Sequence, residues 1–124
     1  MTNGAKYNLE ERLLKYSARI VLLTEKLPSV RSANHIASQL LRSGTSSMPN
    51  HGEAQAAESQ ADFIHKLKVC LKELRETYRW LRLIDYLKYG NADETHDLMD
   101  ETDQLIRIFV KSVRTAEERQ NGKK

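Results

Sequence analysis

One cysteine, Cys70, stands among 124 residues, so no disulfide can close within the chain. Proline occurs twice and glycine five times, which leaves few residues able to break a helix. Aromatic residues make up 6%, so any core must be mainly aliphatic. The longest apolar run is the four residues Ile20 to Leu23, far short of a membrane-spanning helix. The segment Met1 to Asn8 is polar and lacks the apolar stretch of a secretory signal, so a cytoplasmic location is expected, with no membrane partner. The formal net charge of +3 is too small to support an argument from bulk charge, so only the distribution of charge can inform on partners.

Charged residues account for 30% of the chain, rich in Leu, Lys, Glu and Arg, and this composition predicts helices. Leu9, Leu13, Tyr16, Ile20, Leu23 and Leu27 step by 4, 3, 4, 3, 4, the seam of a helix from Leu9 to about Lys26, which Pro28 ends. A second helix is expected from near Ser32, a candidate N-cap, with Ala33, Ala37, Leu40, Leu41, Gly44 and Met48 on its apolar face. Its small residues admit a close neighbour. Pro49 predicts a kink or break there, with helix resuming through Glu53 to Ala57.

A third helix opens at Ser59-x-x-Asp62 and runs to about Tyr89, with Gly90 beyond its end. Phe63, Leu67, Cys70, Leu74, Thr77, Leu81 and Ile84 form its seam, which makes Cys70 a small core hydrophobe. A fourth opens at Asn91-x-x-Glu94 and buries Leu98, Leu105, Phe109 and Ala116, flanked by Ile106 and Val113. Four helices, short connections and no strand signal predict an all-α, antiparallel up-and-down four-helix bundle. The chain reads as one domain over 1–124, with flexible ends at about 1–8 and 117–124.

No constellation of side chains points to catalysis. Ser43, Ser46 and Ser47 lie near His51, but no Gly-x-Ser-x-Gly elbow exists and no aspartate is placed to orient the histidine, which reads as a surface residue. No glycine-rich phosphate loop is present. Asp62-x-x-His65 and Asp93-x-x-His96 each put a carboxylate and an imidazole on one helix face, but at ends of an antiparallel hairpin roughly 40 Å apart, so they cannot share a metal. The expectation is a protein that is not an enzyme, with no catalytic residues, no metal and no cofactor.

Charge is patterned. On the third helix Lys68, Lys72, Arg75, Arg79 and Arg82 form a stripe opposite the seam, continued by Tyr86 and Tyr89. On the first, Arg12, Lys15, Arg19 and Lys26 form another. Such stripes suit phosphate contacts, with base stacking at the aromatic end. Equally, they read as solvated bundle faces, balanced on the third helix by Glu73 and Glu76. Trp80 falls off the seam and shares a flank with Val69, Leu83 and Leu87, either an oligomer interface or a second edge of the core.

Several short elements occur in a distinctive order: Leu27-Pro28, Arg42-Ser-Gly-Thr-Ser, Asn50, Glu53-Ala-Gln-Ala-Ala-Glu-Ser, Asp62-Phe-Ile, Leu71-Lys-Glu, Arg75-Glu-Thr and Trp80-Leu. Together they resemble the bacterial four-helix-bundle family of 23S rRNA intervening-sequence proteins and, more distantly, the accessory proteins of diversity-generating retroelements. The resemblance spans roughly residues 9–115. It implies an up-and-down bundle and, as in related proteins, a five-fold ring of identical subunits. Some members are encoded inside sequences that interrupt ribosomal RNA genes, and the retroelement relatives engage nucleic acid through a basic surface. This chain departs from the pattern at Ser47 and His51, where apolar residues are expected, and at Pro49 and Gly52.

Two functional expectations follow. One is a homo-oligomeric accessory protein, a pentamer by resemblance, that binds RNA or DNA through a basic helix face. The other is an oligomeric scaffold that binds only protein.

Overall fold

A computed structural model describes residues 8–122 of the chain. It contains four α-helices, α1 (Leu9–Glu25), α2 (Arg31–Gln55), α3 (Gln60–Leu87) and α4 (Ala92–Gly122). Cross-helix pairs set their directions. Ser32 meets Tyr89, Ser43 meets Thr77 and Glu53 meets Lys66, so α2 and α3 are antiparallel. Asp85 meets His96 and Lys68 meets Glu117, so α3 and α4 are antiparallel. Arg12 meets Glu101 and Lys26 meets Glu94, which closes α4 back onto α1. The architecture is an up-and-down four-helix bundle in which α1 and α3 are diagonal, their backbones kept apart by the core.

Local chemistry explains the helix ends. Asn8, Ser59 and Asn91 each accept a hydrogen bond from the backbone N–H three residues on, at 3.0 Å, satisfying donors that the first turn leaves free. The expected cap at Ser32 is not formed. α2 begins at Arg31 behind Val30, which makes no side-chain cap, and the Ser32 hydroxyl lies 2.9 Å from the Tyr89 hydroxyl instead. α3 ends at Leu87, two residues before the expected Tyr89. Lys88 takes the left-handed conformation (φ 60°), its N–H donating to the Asp85 carbonyl and that of Tyr89 to the Ile84 carbonyl. That pair of bonds is the helix-closing geometry usually built on glycine. Lys88→Gly is therefore expected to raise stability by about 1 kcal/mol, seen as a higher urea midpoint at unchanged slope.

Pro49 does not interrupt α2, which is a single helix from Arg31 to Gln55. Its side chain is exposed, so the ring meets no packed neighbour, and the helix forgoes only the one hydrogen bond that residue 49 would have donated to the Thr45 carbonyl. Flanking α1 and α3 hold the helix on both sides, so tertiary packing overrides the local penalty. The stretch beyond Ala116 remains helical to Gly122, with residues 118–122 exposed. Of the two ends expected to be flexible, 1–7 and 123–124 lie outside the described residues, as does most of the polar N-terminal segment.

The core follows the seams. Leu13, Tyr16, Ile20 and Leu23 from α1, Leu67, Cys70, Leu74, Thr77, Leu81 and Ile84 from α3, and Leu98, Leu105, Phe109, Val113 and Ala116 from α4 are buried. Ile36, Leu40 and Ala54 of α2 join them, while Leu41 turns outward. Gly44 lies so close to α1 that a Cβ built on it would sit 2.7 Å from Ile20 Cγ2.

Several polar groups share this interior. Tyr16 donates to Thr102 Oγ1 at 2.6 Å, and Thr102 in turn donates to the Leu98 carbonyl. His51 is buried, not on the surface as expected, with its ring edge-on to Phe109 at 6.2 Å. The family positions at Ser47 and His51 are core positions here, occupied by polar side chains. Ser17 Oγ, Ser47 Oγ and His51 Nδ1 find no hydrogen-bond partner among the described residues.

Candidate nucleic-acid interface

The basic residues of α3 divide by what their neighbours do. Lys72, Arg75, Arg79 and Arg82 are exposed, and among the described residues no ion pair engages them. The acids thought able to balance them are committed elsewhere. Arg42 of α2 holds Glu73 at 3.0 Å and Glu76 through its other terminal nitrogen, and the Trp80 indole N–H also donates to Glu76 at 3.1 Å. Both glutamates thus face α2 and leave the outer face of α3 cationic. Lys68, at the far end of the stripe, pairs with Glu117 of α4 at 2.9 Å.

Two tyrosines were expected to extend this face, and the structure separates them. Tyr86 is 85% exposed, on the helix surface one turn beyond Arg82. Tyr89 follows the helix end, packs on the core and meets Ser32, so it is not part of the stripe.

The α1 residues do not join the same surface. Arg12 is half-buried, held by Glu101 at 2.6 Å and 2.8 Å and by Gln104 at 3.0 Å, so it ties α1 to α4. Lys15 and Arg19 are exposed, and Arg19 lines a shallow groove with Leu22, Lys26, Glu94 and Asp97. Because α1 and α3 are diagonal, their outer faces point apart and one chain presents two separate basic strips.

The Trp80 flank lies between α3 and α2. The indole is partly buried against the core, bonded to Glu76 and edge-on to His35 at 6.2 Å. Val69 is partly buried, while Leu83 and Leu87 are 37% and 41% exposed. Other exposed apolar side chains were not marked by the seams: Leu14, Val21 and Leu22 of α1 and Leu41 of α2 are 38–60% exposed. The signal was there, since Leu14, Val21 and Leu22 fall outside the α1 seam.

The chemically versatile side chains are placed as follows. Cys70 is fully buried, and burial pushes its thiol up to about 12, which keeps it protonated near neutrality. Burial lowers the His51 pKa, opposed by the Glu10 charge. His96 bonds Asp85 at 2.8 Å rather than the nearby Asp93. Among the described residues no three His, Cys, Asp or Glu side chains converge as metal ligands, and no helix is long and apolar enough to cross a membrane.

Comparison with known proteins bears on these features. No curated protein matches the sequence. A crystal structure of a protein of unknown function from the S23 ribosomal protein family, from Bacteroides thetaiotaomicron VPI-5482, is similar at 31% identity with a TM-score of 0.79, over 86% of this chain and 98% of that one. The description 23S rRNA-intervening sequence protein belongs to a family whose model matches residues 6–111. With its seams, capped helices and bundle topology in agreement, the chain belongs to the 23S rRNA-intervening sequence protein family.

Proposed function

We propose that this protein is a non-enzymatic, cytoplasmic accessory protein that self-associates and binds RNA or DNA through the outer face of α3. The observation that carries this reading is the commitment of Glu73 and Glu76 to Arg42, beside Lys72, Arg75 and Arg79, which are exposed and in no ion pair among the described residues. Long basic side chains on a stiff helix can follow a phosphate backbone without reading its sequence. Self-association, a ring of five by family resemblance, would repeat the strip and add its valencies, so the summed charge would exceed that of a single chain.

The test is a fluorescence-anisotropy titration with RNA and DNA oligonucleotides at several salt concentrations. Wild type is compared with a variant in which Lys72, Arg75 and Arg79 are all changed to Gln, and sedimentation establishes that both share one assembly state. Each single-strand phosphate contact contributes about 0.7 to the log–log salt slope, so the variant should lose roughly 2. An unchanged slope in an intact variant, or no binding by wild type at low salt, rejects the face.

A second reading, an oligomeric scaffold for protein alone, is favoured by the exposed apolar side chains of Leu14, Val21, Leu22 and Leu41. On that reading both proteins self-associate and neither binds nucleic acid.

A further inference from the structure

We infer that Tyr86 is a base-stacking platform, so that the α3 face takes single-stranded RNA or DNA in preference to duplex. This rests on the phosphate-binding reading of the same face and names the form of its ligand.

Three features of Tyr86 carry the inference. First, it is 85% exposed, the highest value among the exposed large apolar and aromatic side chains of the described residues. Second, it continues the row of Arg75, Arg79 and Arg82. At 1.5 Å of rise per residue, Arg82 lies about 6 Å and Arg79 about 10 Å along the axis from it. Third, it stands between two depressions. One is lined by Arg79, Arg82, Leu83 and Met99, the other by Lys88, Tyr89, Thr95 and His96, with Asp85 reaching both. The ring therefore has open space on either side and cations on both approaches. The Asp85 carboxylate is turned toward His96, at 2.8 Å, on the α4 side of the row.

An aromatic ring among guanidinium groups recognises a flat, apolar base attached to phosphate. In a duplex the bases already stack on one another, and exposing one requires unstacking. In a single strand the faces are free, and stacking on a side chain is tolerant of sequence because every base has a π-face. Tyr86 thus discriminates by strandedness, while the arginines contribute affinity to either form. Tyr89 cannot substitute for it, being held against the core by Ser32.

The experiment uses the full chain and oligonucleotides of mixed sequence, single-stranded and duplex, with 2-aminopurine as a stacking reporter. Wild type should bind the single strand about tenfold more tightly than the duplex and quench the reporter. Tyr86→Ala should lose that margin and the quenching while keeping its duplex affinity and salt slope. Tyr86→Trp should retain both. Because the residue is exposed, helicity and assembly should be unchanged in either variant. Equal affinity for the two forms, or a Tyr86→Ala protein that still quenches, overturns the inference and leaves the phosphate face standing if the Lys72, Arg75 and Arg79 variant still loses slope. Absence of binding to both forms overturns the two readings together.

Discussion

Gly44→Leu is expected to lower the stability of the bundle by about 3 kcal/mol, a fall in Tm on the order of 10 °C for a domain of this size. The cause is the approach of α1 to α2. Even the first atom of a new side chain would lie 2.7 Å from Ile20 Cγ2 and 3.0 Å from its Cγ1. Ile20 is fully buried and β-branched, so its χ1 is nearly fixed within a helix and it cannot swing aside. The helices must then separate, which also loosens the packing of neighbouring Leu13 and Leu23. Gly52 is the internal control. It lies on the same helix with nothing within 4 Å of a Cβ, and Gly52→Ala should raise stability by about 0.5–1 kcal/mol through reduced backbone entropy in the unfolded chain. Thermal unfolding followed by circular dichroism separates the pair. Equal effects at the two glycines would show that the close approach does not constrain the bundle.

Acidification should destabilise this protein through His51, and His51→Leu should remove much of that sensitivity. The ring is 7% exposed and faces Phe109. The Gln55 amide lies 3.4 Å from Nε2 and donates to it, which places the ring proton of the neutral form on Nδ1, where no protein acceptor is present among the described residues. Burial lowers the folded-state pKa below the ordinary 6.5. Between the two values the unfolded chain binds more protons than the folded chain, so stability rises with pH and is lost as pH falls through about 6.5. For this single group the slope is bounded by about 1.4 kcal/mol per pH unit. His51→Leu fills a similar volume, removes an unpaired buried donor and should stabilise by about 1–2 kcal/mol at pH 7, with a flatter profile below 6.5. Urea titrations of both proteins from pH 7.5 to 5 decide the matter. Parallel profiles would mean that other groups carry the acid response.

Most of the bundle was legible because its information is local. The seam of α3 needs only a 3.5-residue repeat to appear, and six of its seven positions, Leu67 to Ile84, are buried as spaced. The caps at Ser59 and Asn91 are likewise contacts over three residues. The misreadings share one cause. Pro49 carries a helix-breaking penalty of a few kcal/mol in isolation, but two neighbouring helices hold α2 on either side of it. Ser32 reads as a cap until Tyr89, 57 positions away, takes its hydroxyl. His51 reads as a surface residue because the expected break at Pro49 removes the helical phase that would place it, although Ser47, His51 and Ala54 continue the buried face of α2.

The candidate interface shows the same division. Periodicity alone places Lys72, Arg75, Arg79 and Arg82 on one face of a helix, because their 3- and 4-residue steps return to nearly the same angle. Composition and spacing also determine that the fold is helical, with an aliphatic core and short connections. Which acids neutralise that face is decided by tertiary structure. Arg42 reaches Glu73 and Glu76 only because α2 packs antiparallel to α3 in one register. Tertiary structure also parts the α1 strip from the α3 strip, by setting the two helices on a diagonal, and it parts Tyr86 from Tyr89, by ending the helix at Lys88. A helix's periodicity reports the angle of a side chain about its own axis. The partner across the interface depends on the rotation and register of another helix, and those are settled when all four apolar faces are buried at once.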